Sequence, residues 1–312
     1  MIHFCGSNPL GVAAERISYF FLINSNRRYI CKTTLIIKKL TMKHILYFGL
    51  MAAMVAAVTF TSCSKDDDEE EEVIELSILP KKVTEIRCTD DEDNSITYKF
   101  DAEGRITESI SELYVYAYQY SDNSVRSSIN FLGWVVYSTA QWESENGRIT
   151  SIKYTTSTDD GVAEDAGNLK YNYSSDGYLS AVEGTHNNFD IKANYFVENG
   201  VVNSVSGKGA IEGSDADVLM SFKYNSTILN NLNVDLWYVI YGSGPMLGDK
   251  LGKRYVKLPT SCVAVGNDDG EEETLSYEFS YEYDGDYLRK ISSILTYEGE
   301  TETTTYEIFY EE

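Results

Sequence analysis

The stretch that decides the fold is Leu169 to Val182, LKYNYSSDGYLSAV. Tyr171 and Tyr173 sit two apart, a polar turn holding Asp176-Gly177 follows, and an aliphatic run with Leu179 and Val182 comes next. Alternation leading into a short Asp-Gly turn is the pattern of a β-hairpin. Relatives of this unit recur along the chain. ITYKFDAEGRITESI spans Ile96 to Ile110, and VYAYQYSDNSVRSSI, a weaker copy without the glycine, spans Val115 to Ile129. AQWESENGRITSI covers Ala140 to Ile152, NYFVENGVVNSV Asn194 to Val205, and YEYDGDYLRKI Tyr281 to Ile291. Each has aromatics before the turn, Asp, Asn or Glu in it, and aliphatics after it.

The first copy fixes an expected register. A three-residue loop, Ala102-Glu103-Gly104, with Gly104 in the left-handed region sets Asp101 opposite Arg105, Phe100 opposite Ile106 and Ile96 opposite Ile110. One face then carries Ile96, Tyr98, Phe100, Ile106 and Ile110, while Lys99, Asp101, Arg105 and Thr107 point the other way. The same loop at Leu169 groups Tyr171 and Tyr173 with Leu179 and Ala181. The copy at Gly147 resists this register: Ile149 and Ile152 are three apart and share a face only if a bulge intervenes. A lone hairpin is marginal in water, so the copies must pair side by side. The expected fold is all-β, an antiparallel meander of repeated hairpins curled into a barrel-like or strongly curved sheet, with one short helix/loop insertion. The abundant tyrosines read as strand composition, with an aromatic ligand platform as the alternative.

Of the 312 residues, 1–41 show no clean period and end just before Met42, which reads as the true start after a mis-assigned upstream extension. The alternative is a membrane-associated extension. Lys43 gives a basic start, and Ile45 to Val58 are fourteen apolar or small residues, the length of a signal-peptide core and short for a membrane span. Phe60-Thr61-Ser62-Cys63 follows and resembles the lipobox of bacterial lipoproteins, with Phe60 where Leu is usual. That resemblance makes 42–62 a lipoprotein signal peptide and Cys63 the acylated first residue; an ordinary cleaved signal is the alternative. Without residues 1–62, 250 residues remain, with 19 basic and 48 acidic side chains and a net charge of −29. So acidic a surface repels nucleic acid, since phosphate binding needs clustered Lys and Arg.

Residues 63–80 read as an acidic tether, because Asp66 to Glu72 is an unbroken run of seven acids that extends by self-repulsion. Lys65 followed by Asp66, Asp67 and Asp68 is similar to the surface-export signal of Bacteroidetes lipoproteins, which implies the outer face of the outer membrane. A single β domain, 81–312, follows. Its first strand is expected over Lys82 to Arg87, and its last three over Thr274 to Tyr283, Tyr287 to Tyr297 and Thr303 to Tyr310. Ser226 to Thr260 breaks the alternation. Asn233 to Ile240 reads as a short helix with Asn233 as N-cap, and Gly242, Gly244, Pro245, Gly248 and Gly252 then form a loop. Such an insertion is either a functional loop or a plug over an exposed core, and the plug is the expectation.

The hairpin unit is loosely similar to the YD repeat of Rhs-type shell proteins. Together with the lipobox, the tether and the late DLWYVI and LP segments, the chain from Met42 onward resembles a Bacteroidetes surface lipoprotein family of unknown function with a porin-like fold. The resemblance implies a curled antiparallel sheet and supplies no catalytic residues. It does not imply a pore, because spanning strands need an uninterrupted lipid-facing apolar band.

Chemistry-bearing residues are sparse. After Cys63 the chain has one histidine, His186, in a polar turn, so neither a multi-His metal site nor a conventional triad is favoured. Asp90, Asp91, Asp93 and Asn94, or Asn267, Asp268, Asp269 and Glu271, offer hard oxygens for calcium without matching an EF-hand loop, and no metal site is assigned. Cys88 and Cys262 could pair as a disulfide if sheet closure brings their strands together; two buried free thiols are the favoured reading. No cofactor is indicated. The expected function is a lipid-anchored, non-enzymatic binding or envelope-structural domain. Its partners would be the membrane through the lipid and a glycan or an envelope protein, with Trp237 and Tyr238 as a ligand surface. The rival is a carbohydrate hydrolase with two carboxylates beside the 226–260 insertion.

Overall fold

The structure is a computed structural model that describes residues 76–90, 95–112, 114–131, 134–158, 163–186, 189–211, 214–237, 248–268 and 271–312. The signal segment, Cys63, the export motif, Asp91, Asp93, Asn94, Tyr238 and Asp269 lie outside them. The described strands are β1 (Val83–Asp90), β2 (Ser95–Phe100), β3 (Ile106–Ile110), β4 (Tyr114–Tyr120), β5 (Ser124–Phe131), β6 (Trp134–Glu145), β7 (Arg148–Thr158) and β8 (Ala163–Tyr173). They continue with β9 (Leu179–His186), β10 (Phe189–Glu198), β11 (Val201–Ile211), β12 (Ser214–Leu229), β13 (Lys257–Asp268), β14 (Glu271–Asp284), β15 (Tyr287–Tyr297) and β16 (Glu300–Tyr310). Each strand pairs antiparallel with its sequence neighbours, and β1 pairs with β16 from Val83↔Tyr310 to Asp90↔Thr304, so the meander is a closed barrel. Closure settles the choice between a barrel and an open curved sheet.

The turns of the repeated hairpins all fall at one end. At the first, the loop forms as expected: the Asp101 N–H donates to Arg105 O, the Gly104 N–H donates to Asp101 O, and Phe100 opposes Ile106. Beyond that point the register differs from the expectation. Lys99 opposes Glu108, so Thr107 is an extra residue, Ile110 meets Thr97 rather than Ile96, and Ser109 takes the inward place. The same insertion recurs after each glycine turn. Thr150, Ser180, Asn203 and Arg289 are the extra residues of the β6–β7, β8–β9, β10–β11 and β14–β15 hairpins. In the Leu169 unit Tyr171 therefore meets Val182, and Ala181 opposes Asn172. Each bulge turns residues three apart onto one face, so Ile149 with Ile152, Leu179 with Val182, Val202 with Val205 and Leu288 with Ile291 are all buried.

A bulge leaves a ladder carbonyl without its usual partner, and tyrosines fill that need. Tyr173 Oη donates to Ile149 O at 2.6 Å, Tyr224 Oη to Val202 O at 2.7 Å and Tyr310 Oη to Leu288 O at 2.6 Å. Tyr281 Oη donates likewise to Pro259 O. Each donor lies on the following strand, one residue past the position that opposes the acceptor. Where the rule would put Val197, the insertion supplies the hydroxyl: Tyr255 Oη donates to Leu179 O at 3.3 Å. These tyrosines are therefore structural parts of the repeat and not merely good strand formers.

Between β12 and β13 the described residues 230–237 and 248–256 of the insertion lie at the turn position of that hairpin and pack across that end of the barrel. The Val256 N–H donates to Gly200 O, the Lys253 N–H to Gly177 O and the Leu79 N–H to Asn231 O. The plug reading is thus what the geometry shows. Gly104 serves it twice: its φ of 77° is left-handed, and any Cβ there would overlap the Asn233 carbonyl. The expected helix is represented among the described residues by Leu236 and Trp237 only, and Asn233 is not its cap. Asn233 Oδ1 instead accepts from the Val83 N–H at 2.7 Å, and Asp235 Oδ1 takes the capping role by accepting from the Trp237 N–H.

Candidate functional site

Strand pairing divides the wall into an inner and an outer parity. The outer one carries ion pairs such as Lys99–Glu108, Lys208–Asp217 and Lys290–Glu282, and Arg87 lies over the Phe309 ring. Its exposed apolar residues are interrupted: Phe196 opposes Ser204, Leu219 opposes Ser206, and Ser221 stands between Ser204 and Val263. No described helix is long and apolar enough to cross a membrane. On the described outer wall charged and serine residues break up the apolar ones, whereas a spanning barrel carries an unbroken apolar band. The inner parity holds the aliphatic and tyrosine residues. The apolar side of this barrel faces inward, the reverse of a water-filled porin.

The capped end is a polar knot wrapped in aromatics. Asp235, 6% exposed, accepts from Asn230 Nδ2 at 2.7 Å and pairs with Arg254 Nε at 3.8 Å. Arg254 also donates to the carbonyls of Leu232 and Asn233, and Asn230 Oδ1 accepts from the Leu236 N–H. Around this knot Trp237 and Tyr255 meet edge to face at 4.9 Å between ring centroids, with Tyr195 and Phe222 against them. Trp237 is fully buried, so it is core and cannot be the expected ligand surface. Of the carboxylates the rival hydrolase reading would need beside the insertion, Asp235 is committed to Arg254, Asn230 and the Trp237 N–H.

Above this floor the lumen is walled by β7 to β10. Tyr154, Tyr171 and Tyr195 face inward in the wall, opposite Gly167, Val182 and Val205 respectively, yet each keeps part of its surface accessible. The Tyr154 and Tyr171 hydroxyls share a hydrogen bond, and burial pushes all three phenols above their ordinary pKa, so they remain neutral donors. The His186 ring packs edge to face on Tyr154 at 4.5 Å. His186 is thus part of the inner wall rather than a solvated loop residue, and burial lowers its pKa to about 4, leaving it neutral near pH 7. On β4, Tyr116 is 3% exposed, packs with Tyr114 and Ile129, and its hydroxyl has no protein partner. The inner wall carries four buried hydrophobic clusters linked by half-buried tyrosines: Tyr118 packs on three of them, and Tyr154, Tyr171 and Tyr195 on two each. Sixteen strands enclose more space than side chains alone fill.

The inner-parity residues with described side chains toward the uncapped end include Asp90, Glu164, Glu273 and Glu302. Above the cap, every described strand Lys or Arg is on the outer parity or in a bulge. Among the described residues no group of three or more His, Cys, Asp or Glu could hold a metal ion. Of the calcium candidates, Asp90 ends β1 and Asp268 ends β13, strands that are not neighbours. Cys88 and Cys262 are both buried and not disulfide-bonded, with β14 to β16 between their strands, so the disulfide alternative fails. Burial raises the Cys262 thiol to about 12, which keeps it unreactive.

No protein-family model matches the chain, and no curated protein matches it. Among solved structures, a porin-like protein from Bacteroides uniformis is similar at 16% identity and a TM-score of 0.45, over 76% of this chain and 100% of that one. A porin-like protein from Bacteroides vulgatus is similar at 13% identity and a TM-score of 0.49, over 74% and 99%. The fold defines the class of protein: a closed sixteen-strand β-barrel, capped by the insertion at its β12–β13 end, whose inner wall is largely apolar.

Proposed function

We propose that the chain is a non-enzymatic binding domain held at the outer membrane by an acylated Cys63, with its lumen as the binding region. The observation that carries this reading is the inverted wall, polar outside and apolar inside. A barrel so built stays in water, and membrane residence then requires an external anchor, which the Met42 to Cys63 segment would supply. The chain enters at the capped end, where Leu79 binds Asn231 and Val83 binds Asn233. A tether through residues 63–80 would therefore set the cap toward the bilayer and the mouth away from it. Export to the outer face belongs to the same proposal, through Lys65 to Asp68. Mass spectrometry of the membrane-extracted protein tests the anchor. An N-terminal peptide beginning at diacylglyceryl Cys63 is expected, with Cys63→Ala released from membranes. An unmodified Cys63 in membrane-bound protein would overturn it.

A further inference from the structure

We infer that the lumen above the cap is a binding chamber for an uncharged amphiphile, a molecule with an apolar body and one or two hydrogen-bonding groups. Accessible surface on Tyr154, Tyr171 and Tyr195 is the starting point. These residues sit within the wall and point inward by register, so that surface opens on the lumen and not on the outside. The floor is the Trp237–Tyr255–Tyr195 stack. Pockets lined by ring faces with a few convergent polar groups favour apolar ligands fixed by those groups. Here the polar groups are the Tyr154 and Tyr171 hydroxyls and the His186 ring.

The charge of the guest follows from what faces it. No described lumen-facing side chain above the cap is cationic, and the carboxylates Asp90, Glu164, Glu273 and Glu302 stand toward the mouth. An anion would be repelled on entry and left as an unpaired buried charge inside. This inference rests on reading the chain as a binding domain. It is independent of the anchor, so failure of Cys63 acylation leaves it standing.

The test uses two probes that differ by one sulfonate: neutral N-phenyl-1-naphthylamine and anionic 1-anilinonaphthalene-8-sulfonate. They are titrated into the intact chain carrying Cys63→Ala, so that no acyl chain competes. Saturable fluorescence from the neutral probe at one site per barrel is expected, with the sulfonate at least about tenfold weaker. Tyr171→Phe should weaken the neutral probe by about threefold to tenfold. Ser138→Trp, on the inner parity beside Thr156, should block it where thermal melting shows a folded barrel. Phe196→Ser, on the outer wall, should leave binding unchanged. Equal affinity for the two probes would overturn the inference. So would wild-type binding in Tyr171→Phe, or loss of binding in Phe196→Ser.

Discussion

At the residue scale, the tyrosine hydroxyls that close the bulges are the least replaceable polar atoms in the wall. Removing one leaves a buried carbonyl without a donor, which costs about 1–3 kcal/mol. Tyr224→Phe and Tyr310→Phe should each lower urea-unfolding stability by that amount, whereas Tyr137→Phe, on the outer wall, should change it by less than about 0.5 kcal/mol. His186 predicts a pH effect whose sign is fixed. Its folded pKa of about 4 lies below the ordinary 6.5, so the unfolded chain binds the proton more readily between those values. Stability is full above pH 6.5 and falls as pH drops through 6.5 toward 4, by up to about 3 kcal/mol for this group alone. Wild type minus His186→Gln, compared by chemical denaturation at pH 7 and pH 4.5, isolates that loss from the carboxylates. An identical pH dependence in the two proteins would refute it.

At the element scale, the hairpins were legible in the letters and the bulges only partly so. Ile149 and Ile152, three apart, are the residues that betray a bulge; in the first unit Ser109 is polar, so Ile110 suggested a straight register that the extra Thr107 breaks. The insertion could be read as a plug from its lost alternation. Its contacts could not, because Asn233 to Val83 and Tyr255 to Leu179 join residues 150 and 76 apart. Trp237 shows the same limit: an aromatic in an irregular segment has one composition whether it lies on a surface or fills a core. The cap's ion pair carries a prediction. Asp235→Ala strands Arg254 among the carbonyls of Leu232 and Asn233 and removes the acceptor for the Trp237 N–H, which should cost about 3–5 kcal/mol. Faster amide exchange at Gly104, Gly177 and Gly200 should accompany it, since the cap lies on or beside those turns.

At the scale of the whole molecule, the hairpins set most of their buried apolar residues on one face, and closure puts those faces around one lumen. The function of the lumen was not legible in the sequence, since nothing in a single hairpin marks Tyr154, Tyr171 and His186 as neighbours across three strands. Closure is the claim on which lumen, cap and orientation all depend. Arg87 and Glu307 oppose each other across the β1–β16 seam, where directly paired Cα atoms lie about 4.5–5.5 Å apart, within disulfide reach. Arg87→Cys with Glu307→Cys, in a chain whose Cys88 and Cys262 are alanine, should oxidise to an intramolecular disulfide under mild oxidant. Persistent free thiols at that seam, while a Glu85→Cys, Lys99→Cys pair on β1–β2 oxidises, would contradict a closed barrel.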